Sequence, residues 1–118
     1  MIYLYGAGGH AKVIIEILQA QGVSDIAAID ENKEGMVLGI PITYKSVPEN
    51  LNTEDQLIVA IGQNHVRKLI AEKDMNLSYA KAVHPSCNIS PSAMIGAGTV
   101  AMAGAVVNAE AVVGNMSY

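Results

Sequence analysis

Residues 83 to 118 fall into six consecutive units of six: VHPSCN, ISPSAM, IGAGTV, AMAGAV, VNAEAV and VGNMSY. The first position is Val83, Ile89, Ile95, Ala101, Val107 and Val113, aliphatic throughout. The fifth is Cys87, Ala93, Thr99, Ala105, Ala111 and Ser117, small throughout. Two position classes that keep phase together predict a parallel β-helix, in which short strands turn corners and stack. Each unit makes one flat face and three faces make one triangular coil, so the stretch predicts about two coils. The aliphatic position is expected to point inward and the small one to fit where the chain bends. Gly96, Gly98, Gly104 and Gly114, with Asn88, Asn108 and Asn115, suit the turn conformations of the corners.

The part before residue 83 has a different rhythm. Ile2 to Tyr5 is a short run of strand formers, followed by Gly6-Ala7-Gly8-Gly9 and then an apolar helical stripe at Val13, Ile14, Ile17 and Leu18. Gly22 is placed to end that helix. Ile26 to Ile29 is a second apolar run, stopping at Asp30, which completes a βαβ unit. Gly39 to Tyr44 suggests a short extended piece, with Pro41 marking it as an edge. Leu57 to Ile61 is a continuous apolar run of the kind found in strands covered on both faces. Gly62-Gln63-Asn64 then turns into a second helix with a stripe at Val66, Leu69 and Ile70, and Asn64 is suited to cap it. Tyr79 to Val83 predicts a last strand. The boundary near residue 82 is a change of period, which divides the chain into 1–82 and 83–118.

Composition narrows the function classes. The chain has 118 residues, 51% of them hydrophobic, so it is expected to fold. It lacks Phe and Trp, so the core must come from Ile, Leu, Val, Met and Ala. A net charge of −4, with no basic run longer than Arg67-Lys68, argues against nucleic acid as a partner. The single cysteine, Cys87, allows no internal disulfide, and no Cys/His spacing suggests zinc. A strand-like run from residue 2 and the absence of a membrane-length apolar stretch predict a soluble, cytoplasmic chain with no membrane span.

Two stretches carry candidate chemistry. In Gly6 to Ala11, glycines let a ligand approach the backbone, and the following helix offers free N–H groups and a positive dipole end. Phosphate is the natural guest. Ala11 stands where the dinucleotide fingerprint allows Gly or Ala, and Asp30 lies at about the spacing for an acid that holds a ribose hydroxyl. The same pattern also serves a tight turn that binds nothing; strand, helix and acid together favour nucleotide binding at Gly8, Gly9, His10 and Asp30. A neutral His10 imidazole is placed to donate to a phosphate or hydroxyl, and equally to fill the first turn as a polar residue. Gly62 and Asn64 form the second candidate: if the Leu57 run lies beside the first strand, both loops open at one sheet edge, where ligands bind in such sheets. Simple helix capping is the other reading there. His65 and Glu110 are expected to be solvated, His84 to satisfy a backbone group, and Cys87 to pack inside the repeat. No Ser–His–Asp or paired-carboxylate set is evident, so no catalytic residue is assigned.

Taken together, YGAGGHAKVI, the ID at 29–30, AIGQN at 60–64, HPS and ISPSAMIGAGTV resemble the bacterial sugar acetyltransferases of the hexapeptide-repeat superfamily. These include the sialic-acid O-acetyltransferase type and the N-acetyltransferases of nucleotide-linked 4-amino sugars in surface glycan synthesis. The resemblance runs over essentially the whole chain. It implies a Rossmann-like domain over 1–82 that holds a UDP- or CMP-linked sugar through the glycine loop, His10, Asp30, Gly62 and Asn64. It implies a left-handed β-helix from residue 83 that trimerises and binds acetyl-CoA between subunits, a handedness contrary to the usual crossover rule.

The departure from the family pattern is that its general-base histidine lies on a later coil, and the three histidines here do not match that motif. By resemblance that histidine is expected beyond Tyr118, the last residue of the sequence. Acetyl transfer needs a base in reach of the nucleophile and a site for the thioester. The expectation is therefore a C-terminally truncated enzyme, inactive alone, with a frayed or subunit-covered coil stub. The alternatives are a nucleotide-sugar-binding module without turnover and a small NAD-binding domain.

Overall fold

The computed structural model describes residues 1–48, 51, 54–60 and 78–113. The opening run forms β1 (Ile2–Tyr5), an interior strand of a five-stranded sheet. Helix α1 (Gly9–Ala20) buries Ala11, Ile14, Ile15, Ile17 and Leu18. Val13, expected in the stripe, is 38% exposed, and Ile15 is fully buried instead. The apolar arc is wide because α1 lies against the sheet and also packs on the first short strand of the hexad region. Gly22 ends the helix as expected, at φ 84°. Its N–H donates to Gln19 O and that of Val23 to Leu18 O, the paired bonds of a Schellman cap.

Strand β2 (Ile26–Ile29) pairs parallel with β1 from Ile2↔Ile26 to Tyr5↔Ile29. On the other side of β1, β5 (Gln56–Val59) pairs parallel from Ile2↔Gln56 to Tyr5↔Val59. All three strands therefore end at one level, and Leu4, Ile29 and Ile58 are buried at the centre. The short β3 (Met36–Val37) and β4 (Ile40–Tyr44) complete the order β3-β4-β2-β1-β5.

Two expectations are corrected here. Pro41 does not mark an edge: Leu38 and Gly39, at φ 46° and 76°, fold β3 back antiparallel onto β4, so β3 takes the rim. Nor does Tyr79–Val83 form one strand. Tyr79 bridges Leu57 at the sheet, while β6 (Ala82–Val83) has left it to pair with the hexads. Ile61, the second helix, Gly62, Gln63, Asn64 and His65 lie outside the described residues. So do 114–118 of the repeat, including Tyr118, the residue beyond which the general base is expected.

In the hexads, β6 pairs parallel with β9 (Val100–Ala101), β7 (Asn88–Ile89) with β10 (Val106–Val107), and β8 (Met94–Ile95) with β11 (Val112–Val113). Each partner lies three hexads further along the chain. The alternate positions of the three ladders meet different surroundings. Ala82 and Val100 are fully buried in one cluster with Ile14, Ile17 and Leu18 of α1. Met94, Val106 and Val112 are 65–73% exposed. Val83 N–H donates to Gln21 Oε1, fastening the first strand to the end of the helix.

Corners at Gly98, Gly104 and Glu110 all take positive φ, at 75°, 78° and 60°. Ser86 Oγ accepts the Gly104 N–H and Ser92 Oγ the Glu110 N–H, both at 2.9 Å. Cys87, half-buried, donates its thiol to Met102 O at 3.0 Å. An exposed glutamate held left-handed is strained by about 1 kcal/mol relative to glycine. Glu110→Gly should raise the free energy of unfolding by about that amount in urea titration; no change would mean that the left-handed glutamate carries no net strain, since glycine keeps the same N–H bond to Ser92.

Candidate functional site

The carboxyl ends of β1, β2 and β5 converge on a cavity of about 350 Å³ lined by Tyr5 to His10, Ile29 to Lys33, Lys45 and Ala60. Gly6, at φ 115°, turns the chain out of β1 and donates its N–H to Ile29 O at 2.7 Å. A side chain is strained at that angle, so this glycine serves the turn. Gly8 and Gly9 differ. Neither has a positive φ; a Cβ on Gly9 would meet nothing within 4 Å, and one on Gly8 only Lys33 Nζ at 3.9 Å. Folding therefore does not require glycine at 8 or 9. What their missing side chains leave is open space against the start of a helix.

That helix start carries no side-chain cap and no acidic residue in its first turn. Its first N–H groups have no intrahelical acceptor, and the dipole there favours negative charge. His10 lines the same space, with its Nδ1 shielded from solvent.

Asp30 is more constrained than the sequence implies. Its Oδ2 accepts the Ala7 N–H at 2.9 Å; its Oδ1 accepts those of Asn32 and Lys33 at 2.8 and 2.9 Å. These bonds tie the glycine loop to the loop after β2. Three of about four lone-pair sites are used, which leaves room for one hydroxyl donor. Partial burial pushes the carboxyl pKa up, but the N–H groups of Asn32, Ala7 and Lys33, together with the Lys33 charge, outweigh it and hold the group below its ordinary value.

The structure thus brings Gly8, Gly9, His10 and Asp30 to one cavity. Gly62 and Asn64 lie outside the described residues, although Ala60 N–H donates to Tyr5 O, so the chain leaves β5 beside the glycine loop. The catalytic histidine is expected past Tyr118, likewise outside the described residues. Sequence reasoning missed Lys33 and Lys45. The available signal for Lys33 was Asp30 itself: an Asp side chain binds backbone N–H groups two and three residues on, which fixes what stands there. His84, as expected, satisfies a backbone group, accepting the Ser86 N–H on Nδ1 at 3.0 Å. Among the described residues no cluster of His, Cys, Asp and Glu could hold a metal ion, and no helix is long and apolar enough to cross a membrane.

Residues 1–73 match the PglD N-terminal domain family, and the chain belongs to it. It is 36% identical over 111 residues to a UDP-N-acetylbacillosamine N-acetyltransferase of Bacillus subtilis, covering 86% of this chain and 51% of that protein. Among solved structures, the acetyltransferase domain of PglB from Neisseria gonorrhoeae superposes with a TM-score of 0.90 at 35% identity, over 98% of this chain and 59% of that one; the same domain is also known in complex with acetyl coenzyme A. PerB from Caulobacter crescentus, in complex with CoA and GDP-perosamine, gives a TM-score of 0.81 at 35% identity, over 97% and 56%. The chain spans about half the length of the relatives it matches.

Replacing Asp30 with Asn removes the charge and one acceptor oxygen from the staple. Asp30→Asn should lower the unfolding free energy at neutral pH, measured in urea, by about 1 kcal/mol at most, since solvent screens these partly exposed bonds. Because the folded pKa is depressed, this stabilisation is complete above the unfolded-chain pKa and is lost as pH falls through the folded value. The gap between the two proteins should start to shrink near pH 3.8 and close below it.

Proposed function

We propose that this chain binds a nucleotide-activated amino sugar at the glycine loop and supplies the substrate-binding part of an acetyl-CoA-dependent N-acetyltransferase. The observation that carries the reading is the space at Gly8 and Gly9, which the fold does not require and which faces an uncapped helix start. Phosphate fits there, and Asp30 retains one lone pair for a sugar hydroxyl. The matched relatives act on or hold nucleotide-linked amino sugars, which favours a 4-amino sugar over the sialic-acid type.

On this reading residues 1–82 are the nucleotide-sugar domain and residues 83–118 begin a left-handed β-helix. The interval of three hexads between paired strands supports a three-faced coil. The exposed Met94, Val106 and Val112 support a trimer in which neighbouring coils cover these faces and acetyl-CoA lies between subunits. Acetyl transfer requires a base to take a proton as the amine attacks the thioester carbonyl and the CoA thiolate leaves. His84 is not placed for this, since its Nδ1 is engaged by Ser86. On this reading the described residues bind substrate and none of them is assigned as the base, which favours binding without turnover by this part. Both substrates belong to the cytoplasm, which is the setting this function implies.

Calorimetric titration with uridine and guanosine diphosphates tests the reading. One of them should bind in preference to NAD, and Gly9→Ala should weaken it by about tenfold or more while leaving the melting temperature within about 2 °C. Tighter binding of NAD would reject the sugar reading. Release of coenzyme A from acetyl-CoA and amino-sugar nucleotides by this chain alone would reject binding without turnover.

A further inference from the structure

Helix α1 and the first corners of the repeat flank a depression of about 350 Å³ lined by Val13, Glu16, Ile17, His84, Met102 and Ala103. It shares no lining residue with the glycine-loop cavity. Two large apolar side chains that folding leaves uncovered meet there: Val13 is 38% exposed and Met102 41%. Glu16 brings a carboxylate that takes part in none of the ion pairs among the described residues. Lys12, one turn earlier on α1, lines a different depression.

His84 supplies the opposite hydrogen-bonding character. The Ser86 N–H donates to its Nδ1 at 3.0 Å, and Ser86 Oγ lies 2.8 Å from the same nitrogen. Nδ1 is therefore an acceptor, which leaves the ring proton on Nε2 as a donor. The corner does not need an imidazole for this. One hexad later Ser90 Oγ accepts the Ser92 N–H in the same Xaa-Pro-Ser turn, and Ser92 Oγ accepts the Glu110 N–H as Ser86 Oγ accepts that of Gly104. Serine thus suffices at this place in the turn. What histidine adds is a ring that lines the depression and carries a donor. A concave apolar surface with a few convergent polar groups is the form that small-molecule subsites take.

The helix joins this place to the glycine loop. Gly9, Val13 and Glu16 recur at i, i+4 and i+7, so they share one stripe of α1. Seven residues at 1.5 Å each put Glu16 about 10 Å along the helix from the open space at Gly9. We propose that the depression is a second subsite, for the amine end of a sugar whose nucleotide sits at the glycine loop. Glu16 accepts from the amine, the His84 Nε2–H donates to a sugar oxygen, and Val13 and Met102 cover the apolar edge of the ring. Acetylation replaces the positive amine by a neutral amide and so removes a charge-assisted bond to Glu16. The subsite therefore holds the group to be acylated more tightly than the acylated one. The inference rests on the nucleotide-sugar reading and adds to it the residues that read the far end of the sugar.

The test is calorimetric titration of the chain with uridine and guanosine diphosphates, each bare and as its 4-amino and 4-acetamido hexose, at one salt concentration. The amino hexose should bind about threefold more tightly than the acetamido one, a modest factor because Glu16 is exposed and screened. Glu16→Gln should abolish that preference and leave the bare diphosphate within about twofold. His84→Ser, which repeats the corner found one hexad later, should weaken both hexose conjugates by about threefold and leave the bare diphosphate unchanged, with a melting temperature within about 2 °C of the wild type. Should that variant melt lower, Glu16→Gln decides alone. Equal affinity of the two conjugates in the wild type, or a preference that survives Glu16→Gln, would overturn the subsite and leave the nucleotide reading intact. A loss that Glu16→Gln imposes equally on the bare diphosphate would reduce Glu16 to general electrostatics and overturn it too. Conjugates unaffected by His84→Ser would overturn the part given to His84. Absence of any nucleotide binding by the wild type would overturn both readings together.

Discussion

A single carboxylate organises the loops at the carboxyl end of the sheet. Asp30 accepts backbone N–H groups from two loops that approach from different strands. Without it, the glycine loop after β1 and the loop after β2 would each be held only at their strand ends. Charge makes these acceptor bonds stronger than those of a neutral group, and their geometry leaves little freedom in either loop. The helix start, the empty space at Gly8 and Gly9, and the placement of Lys33 all follow from that tie. A residue expected from the sequence to touch ligand thus also shapes the loops that line the cavity.

Parts of this were open to sequence reasoning because they depend on short-range rules. β1, β2 and the Gly22 cap came from local composition and matched the structure, since strand formers bounded by glycine leave few alternatives. Long-range competition hid the rest. Tyr79 to Val83 looks like one strand, yet the sheet holds Tyr79 while Val100 and Ala101 claim Ala82 and Val83. Pro41 suggested an edge because a proline lacks the N–H of a ladder; the hairpin that covers it depends on Leu38 accepting a positive φ, which no propensity foretells. Val13 and Ile15 changed places for a related reason: α1 has two neighbours, and a pattern search for one buried stripe cannot show the second.

The candidate site was legible in its glycines and opaque in its cations. Glycines announce themselves by what they lack. Lys33 and Lys45 look like ordinary surface lysines until the folded loops place one above the glycine turn and the other beside Glu34. Asp30 was found for its spacing from the loop, but spacing could not reveal that most of its lone pairs serve the backbone.

Helix α1 does more than cover the sheet. Its first turn borders the ligand cavity, and its last residues hold the opening strand of the hexads through Gln21 and the shared packing of Ile17, Leu18, Ala82 and Val100. Twelve residues at 1.5 Å each make a rod about 18 Å long. The distance from the glycine-loop cavity at one end to the first hexad strand at the other is therefore set by covalent geometry, like a gauge block between two jaws. One rigid element thus holds the cavity and the opening of the repeat at a fixed interval.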